Sequence, residues 1–196
     1  MTMGPKADLH RYLQDGRDAM LWKLDGLGEY GTRRPLTPTG TNLLGLVKHL
    51  AAMEMGYFGD TFGRPFGEPA PGFEDGAEHN ADMWANPEET RDGIADLYRR
   101  ACAHSDVTIE SLPLDTLGQV PHWPEERRTT SLHRILVHMI AETHRHAGHA
   151  DIVRELIDGS AGRKASDPSL FPADEAYRER LEQVARDAGV RDESSR

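Results

Sequence analysis

Residues 132–159, LHRILVHMIAETHRHAGHADIVRELIDG, carry His138, Glu142, His146 and His149 inside a stretch that otherwise reads as the core face of a helix. Counting 100° per residue from Glu142, His146 lies about 40° away, while His149 and His138 lie about 20° and 40° to the other side. All four therefore share one face. Ile135 and Val153 project in nearly the same direction, with Leu132, Met139, Ala150 and Ile157 beside them, so this face looks into the protein, where a polar group needs a partner. Two chemistries fit. The histidines can hydrogen-bond to the backbone or to Glu142, which is the ordinary fate of a single buried histidine. Alternatively, Glu142 and His146, four residues apart, offer two metal ligands on adjacent turns, and a facing helix supplies a third. His49 is the residue placed to do so. Three His/Glu donors without a thiolate leave a divalent ion open to an outside ligand, the pattern of catalytic rather than structural sites. The spacing differs from the H-E-x-x-H of metalloproteases.

These residues need long helices to hold them, and the chain supplies four helical patterns with almost no strand signal. The first spans about residues 6–27, weakened but not broken by Gly16. Thr41 is expected to cap the second, NLLGLVKHLAAMEMGYFGDTF, which carries His49. Asn86-Pro87-Glu88-Glu89 has the form of a helix start with a capping box, opening a third helix to about Leu112. The fourth begins at Thr130 or Ser131, ends at Asp158 before Gly159, and is roughly 40 Å long at 1.5 Å per residue. Residues 63–85, rich in Pro, Gly and acidic side chains, form a long connection, as do residues 113–128. Beyond Gly159, a polar segment leads to a short amphipathic helix, PADEAYRERLEQVARDAG, and a charged tail. The expectation is an all-α protein in a single domain, residues 1–196, with its core at about 6–160 and a C-terminal extension at 161–196.

Composition narrows the partners. With 33 acidic against 23 basic residues, the formal charge is −10 and no basic cluster is present, which excludes nucleic acid as a natural partner. No stretch approaches the roughly 20 apolar residues of a membrane span. The single cysteine, Cys102, forms no internal disulfide, and the N-terminus has no secretory pattern, so a cytoplasmic protein is expected. Its alanine neighbours favour packing over nucleophilic chemistry for Cys102.

Two blocks, LVKHLAAMEMGYF at 46–58 and SLHRILVHMIAETHRHAGHADIVRELIDG at 131–159, resemble the DinB-like superfamily. The branch most similar is the actinobacterial one, akin to mycothiol-dependent maleylpyruvate isomerase and mycothiol S-transferases. The resemblance implies a four-helix bundle holding a divalent metal, commonly zinc, on His49, Glu142 and His146. Glutamate at 142, where many DinB-like proteins have histidine, leans toward the thiol-transferase branch. His149 takes the position where relatives often have glutamine, and is expected at the rim as a catalytic-site residue that supports the ligands or contacts substrate, not as a fourth ligand. His138, one turn earlier, could compete for the metal and close the site. By the same resemblance the cosubstrate is a small thiol such as mycothiol, activated as a thiolate to attack a small electrophile. Glu54 and Asp151 are candidate acceptors for the imidazoles, and Trp84, His122 and Trp123 either bind the electrophile or cap the core. The alternatives are a non-enzymatic metal-binding or stress-response protein and a plain helical interaction module. Homodimerisation is compatible with the size of the chain.

Overall fold

The computed structural model describes residues 4–165, 167 and 174–193 and is an all-α helical bundle with one small hairpin. Helix α1 (Pro5–Trp22) starts on a proline suited to the first turn and ends five residues earlier than expected, in a turn that places Gly26 at φ 73°. A short α2 (Glu29–Arg33) lies between the first two expected helices. Helix α3 (Leu43–Glu54) is capped by Asn42 rather than Thr41, because the Asn42 side chain accepts from the Gly45 amide at 2.7 Å. The chain then widens into a single π turn, Met55–Gly59, followed by a 3-10 turn, Asp60–Phe62.

Helix α4 (Arg91–Ser111) begins at a Thr90 cap, not at Asn86. The expected reciprocal bonds do form: Asn86 Oδ1 accepts from the amides of Glu88 and Glu89, and Glu89 Oε2 accepts from the Asn86 amide. The turn does not propagate, because its carbonyls are engaged sideways. The Arg33 guanidinium binds those of Ala85, Asn86 and Glu89, while Lys48 holds the Glu89 carboxylate at 2.8 Å.

Strands β1 (Leu117–Gln119) and β2 (Thr129–Ser131) pair antiparallel, Gly118 opposite Thr130, with helix α5 (Glu125–Arg128) in the connection between them. Three residues per strand are too few to show a period of two. A Cβ on Gly118 would lie 2.5 Å from the Thr61 carbonyl oxygen, so the hairpin packs on the turn after α3 only through a glycine. Helix α6 (Leu132–Asp158) is capped by Ser131 and stops at Gly159, φ 76°, as expected. Helix α7 (Glu175–Glu193) matches the expected C-terminal helix, and its residues 175–189 are exposed.

Helix α1 packs along α6, α3 lies against both α4 and α6, and α1 also touches α4. Gly16 lets α1 and α6 approach closely: an added Cβ would meet Thr143 Cγ2 at 3.0 Å and His144 Nε2 at 3.2 Å. Two clusters of apolar side chains fill the interior, one around Met20, Leu44, Leu50 and Tyr98, the other around Leu13, Phe58, Ile109 and Leu136. Cys102 lies buried in the first, and burial followed by the Glu54 carboxylate pushes its thiol well above the usual range, an inert packing residue as expected.

Candidate functional site

Where α3 crosses α6, the Nε2 atoms of His49 and His146 both face one carboxylate oxygen, Glu142 Oε1, at 3.5 Å and 3.0 Å. The ligand-capable atoms of the three residues all lie within 4.8 Å of one another, and the two imidazole rings meet edge to face at 5.0 Å. His146 is buried; His49 and Glu142 are half-buried. Two imidazole nitrogens and a carboxylate oxygen form a donor set suited to zinc-like divalent ions. His146 Nδ1, on the far side of its ring, is buried and meets no protein partner.

The other two polar residues of the same face diverge. His149 is exposed, its ring edge to face with His146 at 5.4 Å, at the solvent side of the triad. His138 turns away into an aromatic cluster, 4.7 Å from the Tyr57 ring and 5.6 Å from Trp123. It is not among the three donors. Tyr57 stands on the π turn after α3. Its hydroxyl accepts from Trp123 Nε1 at 3.3 Å and lies 3.2 Å from His122 Nε2. The hairpin thus folds His122 and Trp123 onto this tyrosine, whereas Trp84 is largely exposed, with its carbonyl held by Lys48.

The two acceptors expected for the imidazoles are engaged elsewhere. Glu54 receives the Arg17 guanidinium in the interior, and Asp151 pairs with Lys23 at 2.6 Å and accepts from the Gly162 amide. Helical spacing places a residue on a turn, but a buried cation on a neighbouring helix decides where its carboxylate points. The acceptor that does reach the site is Asp82, whose Oδ2 lies 2.6 Å from His49 Nδ1. It comes from the connection after α3, where no periodicity marks it.

Burial, reinforced by the positive charge of His49, holds the His146 imidazole below its usual pKa. Burial pushes Glu142 up, but the charge and hydrogen bond of His146, with His49 beside it, outweigh it, leaving a net lowering. Both shifts favour the forms that bind metal, a neutral ring and a carboxylate. In an NMR titration of metal-free protein, His146 should gain its proton only below the ordinary histidine midpoint of about 6.5. Protonation then removes its lone pair as pH falls through that lowered pKa. A midpoint above that of an exposed histidine would contradict this account.

The family model described as Mycothiol-S-transferase matches residues 8–159 of the 196. The chain belongs to the mycothiol-S-transferase family. The match runs from α1 to the end of α6 and contains the whole triad and the connection carrying Asp82, in agreement with the DinB-like resemblance. None of the curated proteins compared with the chain matches it. No helix among the described residues is long and apolar enough to cross a membrane. Membership of the mycothiol-S-transferase family gives the three converging donors a chemical context, a small thiol as cosubstrate.

Proposed function

We propose that the protein transfers a small electrophilic group to a low-molecular-weight thiol of the mycothiol type, using a divalent ion, zinc in the first instance, held by His49, Glu142 and His146. The observation that carries this reading is the convergence of those three donors within a chain of the mycothiol-S-transferase family. When bound, such an ion holds a thiol as its thiolate at neutral pH and so supplies the nucleophile. Glu142 contributes the one negative charge among the donors, and three protein donors leave a zinc-type ion room for an outside ligand.

His149, exposed beside His146, meets the thiol substrate at the rim. The Tyr57 hydroxyl, the Trp123 indole and the His122 ring form the wall that receives the electrophile, with polar atoms to orient it and ring faces to exclude water. In the transfer, the thiol proton leaves to solvent and the sulfur electron pair forms a C–S bond. The leaving group departs with the pair from the bond that breaks. A free-thiol cosubstrate suits a reducing compartment, which supports the cytoplasm as the site of action.

The test uses cobalt-substituted protein titrated with mycothiol. A sulfur-to-cobalt charge-transfer band should appear as the thiol enters, and adding a bimane halide should then consume thiol faster than in buffer. A cobalt spectrum that thiol does not move overturns the proposal and leaves a non-enzymatic metal-binding protein.

A further inference from the structure

His49 has two ring nitrogens, and the structure gives each a distinct neighbour. Nε2 faces Glu142 Oε1, while Nδ1 faces Asp82 Oδ2 at 2.6 Å, with the two side chains of that closer pair only 14% and 13% exposed. A carboxylate accepts and cannot donate. Both neighbours of the ring are carboxylates, but the Nδ1 contact is much the shorter, 2.6 Å against 3.5 Å, so a neutral His49 gives its proton to Asp82 from Nδ1 and leaves the Nε2 lone pair for an ion shared with Glu142 and His146.

We infer that Asp82 is the positioning residue of the site, fixing the tautomer and orientation of His49, and that the 63–85 connection is docked on α3 to deliver it. Metal binding and docking of the connection then reinforce each other. This inference rests on the metal-binding reading of the triad.

The backbone around Asp82 is fitted to α3 on one side and to an earlier part of its own connection on the other. Gly45 lies one turn before His49, and a Cβ there would sit 1.8 Å from the Met83 carbonyl oxygen. Asn42, the cap of α3, donates to that same oxygen at 3.1 Å, and Lys48 donates to the next carbonyl, Trp84, at 3.1 Å. On the other side, Gly72 at φ 80° packs so closely that a Cβ would lie 2.1 Å from the Asp82 amide nitrogen. Asp82 itself lies in a 3-10 turn, Ala81–Met83, entered through Asn80 at φ 60°. A connection that merely spanned α3 to α4 would need none of these approaches. Here they bring one carboxylate onto one imidazole nitrogen.

The experiment measures zinc affinity by chelator competition for the wild type, Asp82→Ala, Asp82→Asn and Gly45→Ala, with Glu142→Gln as a control on the triad. Asp82→Ala should bind zinc about 10–100-fold more weakly, the usual cost of losing a ligand's hydrogen-bond partner. Asp82→Asn keeps an oxygen that accepts from Nδ1 and should recover part of the loss. Gly45→Ala touches none of the three donors, yet should weaken binding by displacing the Met83 backbone. In metal-free protein, nitrogen NMR should find His49 protonated on Nδ1 in the wild type and in Asp82→Asn, and shifted toward the Nε2 tautomer in Asp82→Ala, which a purely structural role would not cause. Wild-type affinity in Asp82→Ala, or an Asp82→Asn no better than Asp82→Ala, overturns the inference. Loss of the triad reading would look different: Glu142→Gln would then bind zinc as the wild type does, or the wild type would not bind it at all.

Discussion

His146→Ala should leave the protein folded and without metal. Wild-type protein prepared without an affinity tag is expected to carry about one zinc per chain, since three His/Glu donors are the protein share of an open zinc site. The substitution removes one donor outright, so the loss should exceed the roughly 100-fold upper range seen when only a ligand's partner is deleted. The fold should tolerate the change, because alanine has the highest helix propensity and His146 sits in the middle of α6. Metal content by mass spectrometry, read beside circular dichroism, checks both halves. Retention of one ion per chain by the variant would show that the metal sits elsewhere.

Glu54→Ala should destabilise the protein severely. Arg17 and Glu54 are both 0% exposed, and the guanidinium meets the carboxylate through two parallel bonds of 2.7 Å, from Nε and Nη2. The third arm of Arg17 reaches Asp106, which His10 also contacts at 2.7 Å, so the network joins α1, α3 and α4. Burial opposes the Arg17 charge, but the Glu54 carboxylate outweighs it and holds Arg17 well above its ordinary pKa. Removing Glu54 takes away two of the charged bonds of a buried cation and leaves it only the partly exposed Asp106, at a cost of about 3 kcal/mol. That is a large share of the roughly 5–15 kcal/mol that holds a typical domain together. The exposed pair Arg100 and Glu68, 45% and 58% exposed, is the control: Glu68→Ala should leave stability nearly unchanged, because water screens the pair. Urea unfolding of the two variants decides, and equal losses would contradict the account. Replacing Arg17 and Glu54 together by apolar residues of similar volume should restore much of what Glu54→Ala loses, since no fully buried charge then remains and the partly exposed Asp106 keeps His10 beside it.

The contrast between His146 and Glu54 also marks what could be read from the chain by itself. Glu142 and His146 are legible because both sit on one uninterrupted helix, where angle follows from residue count, and both ends of that helix, Ser131 and Gly159, carry their own chemical signals. Glu54 sits five residues after His49 and looked equally available to the imidazoles, but Arg17 from α1 claims it, and no rule of spacing within α3 reports a cation on another helix. Asp82 was hidden for a related reason. Its position depends on glycines at 45 and 72 admitting backbone atoms at distances no side chain would allow, a relation that no local periodicity reports. The Asn86 turn shows the opposite failure, in which the local signal was correct and the local bonds formed, yet Arg33 captured the carbonyls that a helix would have used.

The π turn at Met55–Gly59 works as a phase adjuster in the helix that carries half the site. Such a turn amounts to one extra residue inserted into a helical run, and each residue of an α-helix advances about 100°. His49, before it, is in register with Glu142 and His146, whereas Tyr57, within it, faces His138 one turn away on α6. One helix thereby addresses two neighbouring stations on its partner. Excising a single residue between 55 and 59 would leave the donors untouched while rotating everything downstream, so the two halves of the site can drift apart in evolution through one codon.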